Sequence, residues 1–156
     1  MPIPAARNDH PEIRDAVRAL VRGFGDAYFR EKDDAREYPE EFVEALTKEG
    51  WMAALIPEGY GGAGLGLTEA SIIMEEINRA GGNSGACHGQ MYNMNTLLRH
   101  GSEEQKAKFL PEIASGALRL QSMAVTEPTT GTNTTDLKTR ATRKGDSYVV
   151  DGQKVW

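Results

Sequence analysis

The sequence predicts a mainly α-helical chain, in which an N-terminal helical bundle over residues 1–118 precedes the first strands of an incomplete β domain over residues 119–156. Two observations predict this organisation. From residue 9 to about residue 118, apolar side chains recur at helical spacing, with glycines and prolines where helix ends are expected. After Gly116 the pattern changes to the alternation and turn residues that are typical of strands.

The first helical segment is expected to begin at Asp9, a residue that caps helix N-termini, with Pro11 in the first turn. Its apolar stripe consists of Ile13, Val17, Leu20, Phe24 and Tyr28. Gly23 and Gly25 lie inside the same pattern, and each costs roughly 1 kcal/mol relative to alanine in a helix. We therefore expect the second half of this helix to be weaker than the first.

Four more helical segments are delimited by caps and helix breakers: Pro39 to Gly50, Thr68 to Gly81, a segment ending at Gly101, and one beginning at Ser102. In the last of these, Ser102 and Gln105 have the spacing of a capping box. Pro111 is expected to break it, because proline lacks a backbone N–H and disfavours helix in the preceding residue.

Strands are predicted at residues 120–126, 137–143 and 147–151, with a turn at 144–146. Asp151 and Gly152 form a dipeptide typical of hairpin turns, and another strand is expected to begin at residues 154–155. Three strands with an open edge make a poor independent sheet. The chain is accordingly expected to be a fragment of a longer protein.

The composition is that of an ordinary globular domain. The 156 residues are 39% hydrophobic and 26% charged, which argues against disorder, and no apolar run is long enough to span a bilayer. A net charge of -5 argues against a non-specific nucleic-acid surface, and a single cysteine excludes an internal disulfide framework. Residues 1–7 lack the apolar core of a signal peptide. We expect a cytoplasmic protein.

A glycine-rich stretch at residues 59–64 matches the spacing GxGxxG of dinucleotide-binding loops. That fingerprint needs a buried strand before it and a βαβ unit around it, whereas the flanking patterns here are helical. A flexible interhelical loop is the favoured interpretation.

The titratable residues of the helical half are expected to have structural roles. Adjacent positions on a helix point about 100° apart, so Cys87 and His88 are a poor nucleophile and base pair and are predicted to be a buried or half-buried structural pair. No second cysteine or suitably spaced histidine completes a metal site. His100 is expected to cap a helix, and the acidic pairs at 75–76 and 103–104 are expected to be solvated helix faces.

Residues 123–133 combine a predicted strand end with a hydroxyl-rich loop that contains Pro128 and Gly131. Such a segment presents hydroxyls and backbone N–H groups to one side, which suits a heterocycle or a phosphate. The alternative is a threonine-rich surface turn, and the loop by itself favours that alternative.

Four blocks, at residues 56–65, 101–116, 125–131 and 151–156, resemble the acyl-CoA dehydrogenase family of flavoproteins in order and spacing. The resemblance implies a helical N-terminal domain, a truncated β-barrel segment that begins the middle domain, and a second helical domain beyond these residues. It implies FAD as cofactor, α,β-desaturation of an acyl-CoA thioester, electron transfer flavoprotein as acceptor, and a homo-oligomer that is a tetramer or a dimer.

The resemblance also assigns site residues. The residues expected to contact FAD are Met123, Val125, Thr126, Gly131, Thr132 and Trp156. Thr126 is expected to bond the flavin ring, and Trp156 to pack against it. Thr132 replaces a usual serine that contacts FAD and the acyl-CoA, which keeps the hydroxyl donor.

Two departures from the family pattern affect loop geometry and acyl-chain preference: Asn133 replaces an aspartate, and a Thr-Thr pair at 129–130 replaces two small residues. The family's catalytic glutamate belongs to the C-terminal domain, so no residue of this chain is assigned as the base, and the fragment alone is expected to be inactive. Two alternatives stay open at this stage: a non-catalytic helical binding or assembly module, and a related flavin-dependent oxidase.

Overall fold

A computed structural model describes residues 9–156; residues 1–8 lie outside the described residues, and the prediction about a signal peptide at residues 1–7 falls entirely on them. The described residues form six α-helices and one β-hairpin: α1 Pro11–Arg22, α2 Gly25–Ala35, α3 Glu40–Lys48, α4 Leu67–Arg79, α5 Gly85–His100, α6 Glu103–Ser115, β1 Arg140–Lys144 and β2 Ser147–Asp151. The mainly α fold class is confirmed. A helical unit reaches Gln121, and a second unit comprises Ser122–Trp156. No described helix combines the length and apolarity needed to cross a membrane.

Helices of the first unit pack through the apolar faces that the sequence predicts. α1 packs along α4, α3 contacts α1 and α6, and α5 contacts α6. Val17, Phe42 and Ile73 are fully buried in the larger apolar cluster, and Met94 and Leu110 are fully buried in the smaller one. The apolar stripe predicted for the first helix lies in this core, since Ile13 and Val17 are buried in the larger cluster and the other three members pack against it.

The first predicted helix is in fact two helices. α1 ends before Gly23, and α2 starts at Gly25, whose φ of +67° lies in the left-handed region that glycine adopts without steric cost. The break turns the aromatic rings of the second half toward α3. Phe24 and Phe29 each meet the Phe42 ring edge to face, at centroid distances of 5.3 and 5.1 Å.

The predicted solvated face at residues 75–76 is wrong for Glu76, which is completely buried between α1 and α4. Arg14 and Arg18, one turn apart on α1, both donate to its carboxylate at 2.6 Å. Arg14 also bonds the half-exposed Glu75 at 2.9 Å. These arginines keep the carboxylate ionised in the core, because their hydrogen bonds lower the pKa of Glu76 against the opposing effect of burial.

Helix ends follow the sequence in part. The Ser102–Gln105 capping box is confirmed, since Ser102 Oγ accepts from Gln105 N at 3.2 Å. Asp9 and Thr68 are not the caps: α1 follows His10, and the Glu69 side chain accepts from Gly66 N in front of α4. Pro111 does not break α6, because the residues around it are held in the core by packing that outweighs the lost hydrogen bond.

The glycine-rich stretch at 59–64 is an interhelical loop whose backbone bonds its own unit. Gly64 N donates to Ile56 O, and Leu65 N donates to Ala54 O, both at 2.8 Å. A Cβ on Gly62 would overlap Ile56. These glycines serve close packing of the loop, and no parallel sheet surrounds them among the described residues, so the dinucleotide fingerprint is absent there.

The second unit contains one antiparallel hairpin, in which Arg140 pairs with Asp151 and Lys144 with Ser147. Its turn lies at residues 145–146, within the predicted 144–146, because Lys144 still belongs to β1, and that strand begins at residue 140 instead of 137. No described strand includes residues 154–155, and two other predictions are also wrong. Residues 120–126 are not a strand, because no described strand pairs with them. Gly152 does not open another hairpin; instead its backbone packs on Thr139, and a Cβ there would lie 2.8 Å from Thr139 Cα.

Candidate functional site

The hydroxyl-rich loop of the second unit is built around a tight turn. Glu127 N donates to Thr130 O at 2.9 Å, and Thr130 N donates back to Glu127 O at 3.1 Å, so Pro128 and Thr129 form the tip. Thr130 is buried, and its hydroxyl donates to Asp136 O at 3.3 Å. The turn places residues 125–127 beside the segment that leads into β1.

The Glu127 carboxylate lies at the centre of this unit and is only 5% exposed. It accepts from the backbone N–H groups of Lys138 at 2.7 Å and Thr139 at 2.8 Å. The nearby Thr139 hydroxyl, these two N–H groups and the Lys154 ammonium lower the pKa of Glu127 to about 2, against the opposing effect of burial. The carboxylate is therefore ionised under all ordinary conditions.

Lys154 joins the loop to the segment after β2. Its ammonium donates to Glu127 Oε1 at 3.0 Å and to Val125 O at 2.9 Å. The next residue, Val155, donates from its backbone N–H to Thr126 O at 2.9 Å. Residues 125–127 and 154–155 consequently run side by side.

The six residues that the resemblance assigns to FAD fall into three places. Val125 and Thr126 are half-buried and lie against residues 154–155, so Trp156 directly follows the residue bonded to Thr126. Gly131 and Thr132 are exposed and follow the tight turn. Met123 is 45% exposed and has no hydrogen bond within the described chain. Trp156 is fully exposed, so the structure places its backbone near Thr126 without giving its indole a partner within the described residues.

These residues fit a flavin by the chemistry of their donors. In the described part of the chain, no acceptor takes up the backbone N–H groups or the hydroxyls of Thr126 and Thr132, and the N–H of Gly131 is equally uncommitted. A flavin carries several acceptor atoms along one edge and needs such convergent donors. A Cβ built on Gly131 would meet no atom within 4 Å, so the space beside its Cα is open.

Glu127 and Lys154 are the residues of this region to which sequence reasoning assigned no role. Both lie in blocks that carry the family resemblance, at residues 125–131 and 151–156, but the resemblance assigns no contact to either side chain. The sequence does carry a signal, because each of the two charged residues has an apolar neighbour. Val125 precedes Glu127 by two residues, and Val155 directly follows Lys154. Charged residues in apolar surroundings are rarely buried unless they are paired.

The titratable pair of the helical unit has no catalytic geometry. Cys87 is fully buried, its Sγ lies 3.3 Å from Met52 Sδ, and burial raises the pKa of the thiol to about 12. His88 is exposed and packs its ring on Tyr92 at a centroid distance of 4.9 Å. The prediction of a structural role is right for Cys87, whereas burial of His88 is wrong, because adjacent helix positions face different sides.

Comparison with known proteins gives the family. Residues 7–117 match the family described as acyl-CoA dehydrogenase, N-terminal domain. The chain is 34% identical over 164 aligned positions to mitochondrial isovaleryl-CoA dehydrogenase of Bos taurus, which covers 100% of this chain and 38% of that protein. An acyl-CoA dehydrogenase of Mycobacterium tuberculosis is 34% identical over 150 positions, covering 92% of this chain and 37% of that protein.

The fold comparison agrees. A solved structure of glutaryl-coenzyme A dehydrogenase in complex with glutaryl-CoA superposes with a TM-score of 0.82 at 28% identity, over 100% of this chain and 40% of that one. The chain thus spans about two fifths of the length of the proteins it matches. With a family match over most of its residues, this chain belongs to the acyl-CoA dehydrogenase family.

Proposed function

We propose that these residues are the N-terminal part of an FAD-dependent acyl-CoA dehydrogenase that introduces an α,β double bond into an acyl-CoA thioester. One observation carries the proposal. The hydrogen bond from Val155 N to Thr126 O holds residues 125–126 beside the segment that ends in Trp156. Those are the two segments that the family resemblance assigns to the flavin ring.

Thr126 is proposed to bind the flavin edge through its hydroxyl and its N–H. FAD supplies, when bound, the acceptor for a hydride that leaves the β-carbon of the acyl-CoA. A hydroxyl and a backbone N–H that point at the reduced edge stabilise the negative charge that develops there, and they need no reorganisation if the loop is already held. Trp156 is proposed to cover the ring and exclude water from it.

The other proposed contacts complete the cofactor and substrate site. Met123, Val125 and Gly131 line the flavin together with Thr126, and the free hydroxyl of Thr132 reaches both FAD and the acyl-CoA. No residue of this chain is proposed as the base that removes the α-proton. By the family resemblance that group is a glutamate of a C-terminal domain, so we expect the 156-residue segment to be inactive when it is prepared alone.

The proposal extends to assembly and partners on the family resemblance. The full-length gene product is proposed to be a cytoplasmic homo-oligomer, a tetramer or a dimer. Electron transfer flavoprotein is its proposed electron acceptor. The acceptor distinguishes a dehydrogenase from an oxidase, because the reduced flavin of an oxidase reacts with oxygen.

The test replaces Thr126 by alanine in the full-length gene product, with Thr142→Ala as control. Thr142 is an exposed strand residue whose hydroxyl makes no hydrogen bond within the described chain. An acyl-CoA is mixed with each protein without oxygen, and bleaching of the visible flavin band is followed in time. We expect Thr126→Ala to slow bleaching or to lower FAD affinity roughly tenfold or more, which matches the loss of a charge-stabilising donor.

Two results would overturn parts of the proposal. A full-length product that binds no FAD, or whose bound flavin is bleached by no acyl-CoA, is not an acyl-CoA dehydrogenase. Bleaching at the wild-type rate with unchanged FAD affinity in Thr126→Ala removes Thr126 from the site. Rapid reoxidation of the bleached flavin by air, without need for electron transfer flavoprotein, would identify an oxidase instead.

A further inference from the structure

We propose that Glu127 is a positioning residue for the flavin site, whose carboxylate holds Thr126 and residues 155–156 in register; the inference rests on the proposed function. Three separate stretches of the second unit meet at this one side chain. The side chain itself belongs to the loop that carries Val125 and Thr126, the segment before β1 contributes the N–H groups of Lys138 and Thr139, and the segment after β2 contributes Lys154.

The geometry demands an ionised carboxylate at this point. Oε2 accepts from Lys138 N, and Oε1 accepts from both Thr139 N and the Lys154 ammonium. Every neighbour that bonds the two oxygens is a donor, so both oxygens must accept. A glutamine in the same place would replace one acceptor oxygen by an NH2 group, which would face one of these donors without a hydrogen bond. It would also leave Lys154 without its counter-charge.

The effect on the flavin site runs through Lys154. Its ammonium bonds both Glu127 Oε1 and Val125 O, which ties the carboxylate to the backbone immediately before Thr126. The neighbouring Val155 then reaches Thr126 O. Loss of the carboxylate removes the common anchor of both contacts, so the donors of Thr126 and the backbone of Trp156 lose their fixed relative position, although neither side chain hydrogen-bonds the Glu127 carboxylate.

The experiment uses the full-length gene product with the substitutions Glu127→Gln and Lys154→Met. Glu112→Gln and Lys144→Met are matched controls, since both side chains are exposed and unpaired within the described residues. Lys154→Arg is the conservative variant that keeps the charge. Each protein is titrated with FAD, and the absorption and circular dichroism of the bound flavin are recorded at saturation. Hydrogen exchange is measured at the amides of Lys138, Thr139 and Val155.

We expect the FAD dissociation constant to rise roughly tenfold or more in Glu127→Gln and Lys154→Met, as for lost hydrogen bonds to a charged group. The bound-flavin spectrum should change even when the site is saturated, which a mere loss of stability does not produce. The Val155 amide should exchange faster, while unfolding of the helical unit stays as in the controls. Lys154→Arg should restore affinity to within a few-fold of wild type.

A flavin affinity and bound spectrum equal to wild type in Glu127→Gln would overturn the inference while leaving the proposed function intact. If Glu127→Gln does not fold, Lys154→Met decides in the same way, because its side chain is partly exposed. A wild-type protein that binds no FAD would instead overturn the proposed function and this inference with it.

Discussion

Glu76 and Glu127 are buried carboxylates that reach the ionised state by different chemistry. Glu76 lies between two arginine side chains, Arg14 and Arg18, which come from another helix. Glu127 relies on two backbone N–H groups and Lys154, so part of its stabilisation comes from dipoles that are fixed by the fold. In both cases the polar neighbours offset the desolvation that burial imposes.

The titration of Glu127 is a direct check of its surroundings. Its pKa is lowered from the ordinary value of 4.5 to about 2, so its contribution to stability is complete above pH 4.5 and is lost as the pH falls toward 2. The carboxyl carbon shift of Glu127, followed by NMR against pH, should have its midpoint near 2. A midpoint near 4.5 would mean that the bonds to Lys138 and Thr139 are absent in solution.

Replacing Glu76 by glutamine should destabilise the helical unit by roughly 3–5 kcal/mol, because it leaves two arginines next to a neutral buried group. Glu75→Gln is the matched control: it removes the same charge one residue earlier from a half-exposed side chain, and about 0.5 kcal/mol is expected there. Urea unfolding of both variants measures the difference. Equal losses of unfolding free energy in the two variants would show that the buried ion pairs of Glu76 contribute no more to stability than the pair of the half-exposed Glu75.

At the scale of elements, packing decides the helices more often than local breakers do. Pro111 stays inside α6, since Leu110 and Ile113 on either side are fully buried. Gly23, by contrast, does end α1, and the aromatic residues after it pack on α3 in a new direction. Pro111 is tolerated inside α6 because the helix keeps Leu110 and Ile113 buried. Gly23 ends α1, and the change of direction lets Phe24 pack on α3.

Removal of the α6 cap should destabilise the helical unit by about 1 kcal/mol. Ser102→Ala deletes the oxygen that accepts from Gln105 N at the first turn. Ser71→Ala serves as control, because Ser71 is exposed inside α4, where alanine is a better helix former. Thermal unfolding of the 156-residue chain compares the two, and an equal melting temperature in both would show that the cap contributes no stability.

At the scale of the whole molecule, the two units differ in how much side-chain surface they bury. The helical unit has two apolar clusters with fully buried members. Every residue of β1 and β2 is exposed, including the apolar side chains of Tyr148, Val149 and Val150. A hairpin with exposed apolar residues and free edges is a surface onto which other strands add.

The isolated 156-residue chain should therefore self-associate as its concentration rises, and Val150→Lys should reduce that association. Thr142→Lys is the matched control, since it adds the same charge to the same hairpin at a polar position. Light scattering over a concentration series measures the apparent mass. A chain that stays monomeric throughout, or equal effects of both lysines, would contradict a role for the apolar hairpin surface.

The sequence predicted the features that depend on local spacing. The core faces of the helices, the Ser102 cap and the 145–146 turn each depend on a few neighbouring residues, and all three are observed. The hydroxyl-rich loop was located as a candidate site in the same way. Its assignment to FAD came from the resemblance to the family and not from the pattern of residues, and it stays a prediction.

What the sequence by itself determined is the mainly helical class, its apolar faces and the family. Only the tertiary structure decided which charged residues are buried, because Glu76 meets Arg14 across two helices and Glu127 meets Lys154 across 27 residues of chain. Spacing along the chain does not encode these encounters. The cost of burying a charge is offset only by partners that folding brings within hydrogen-bond distance.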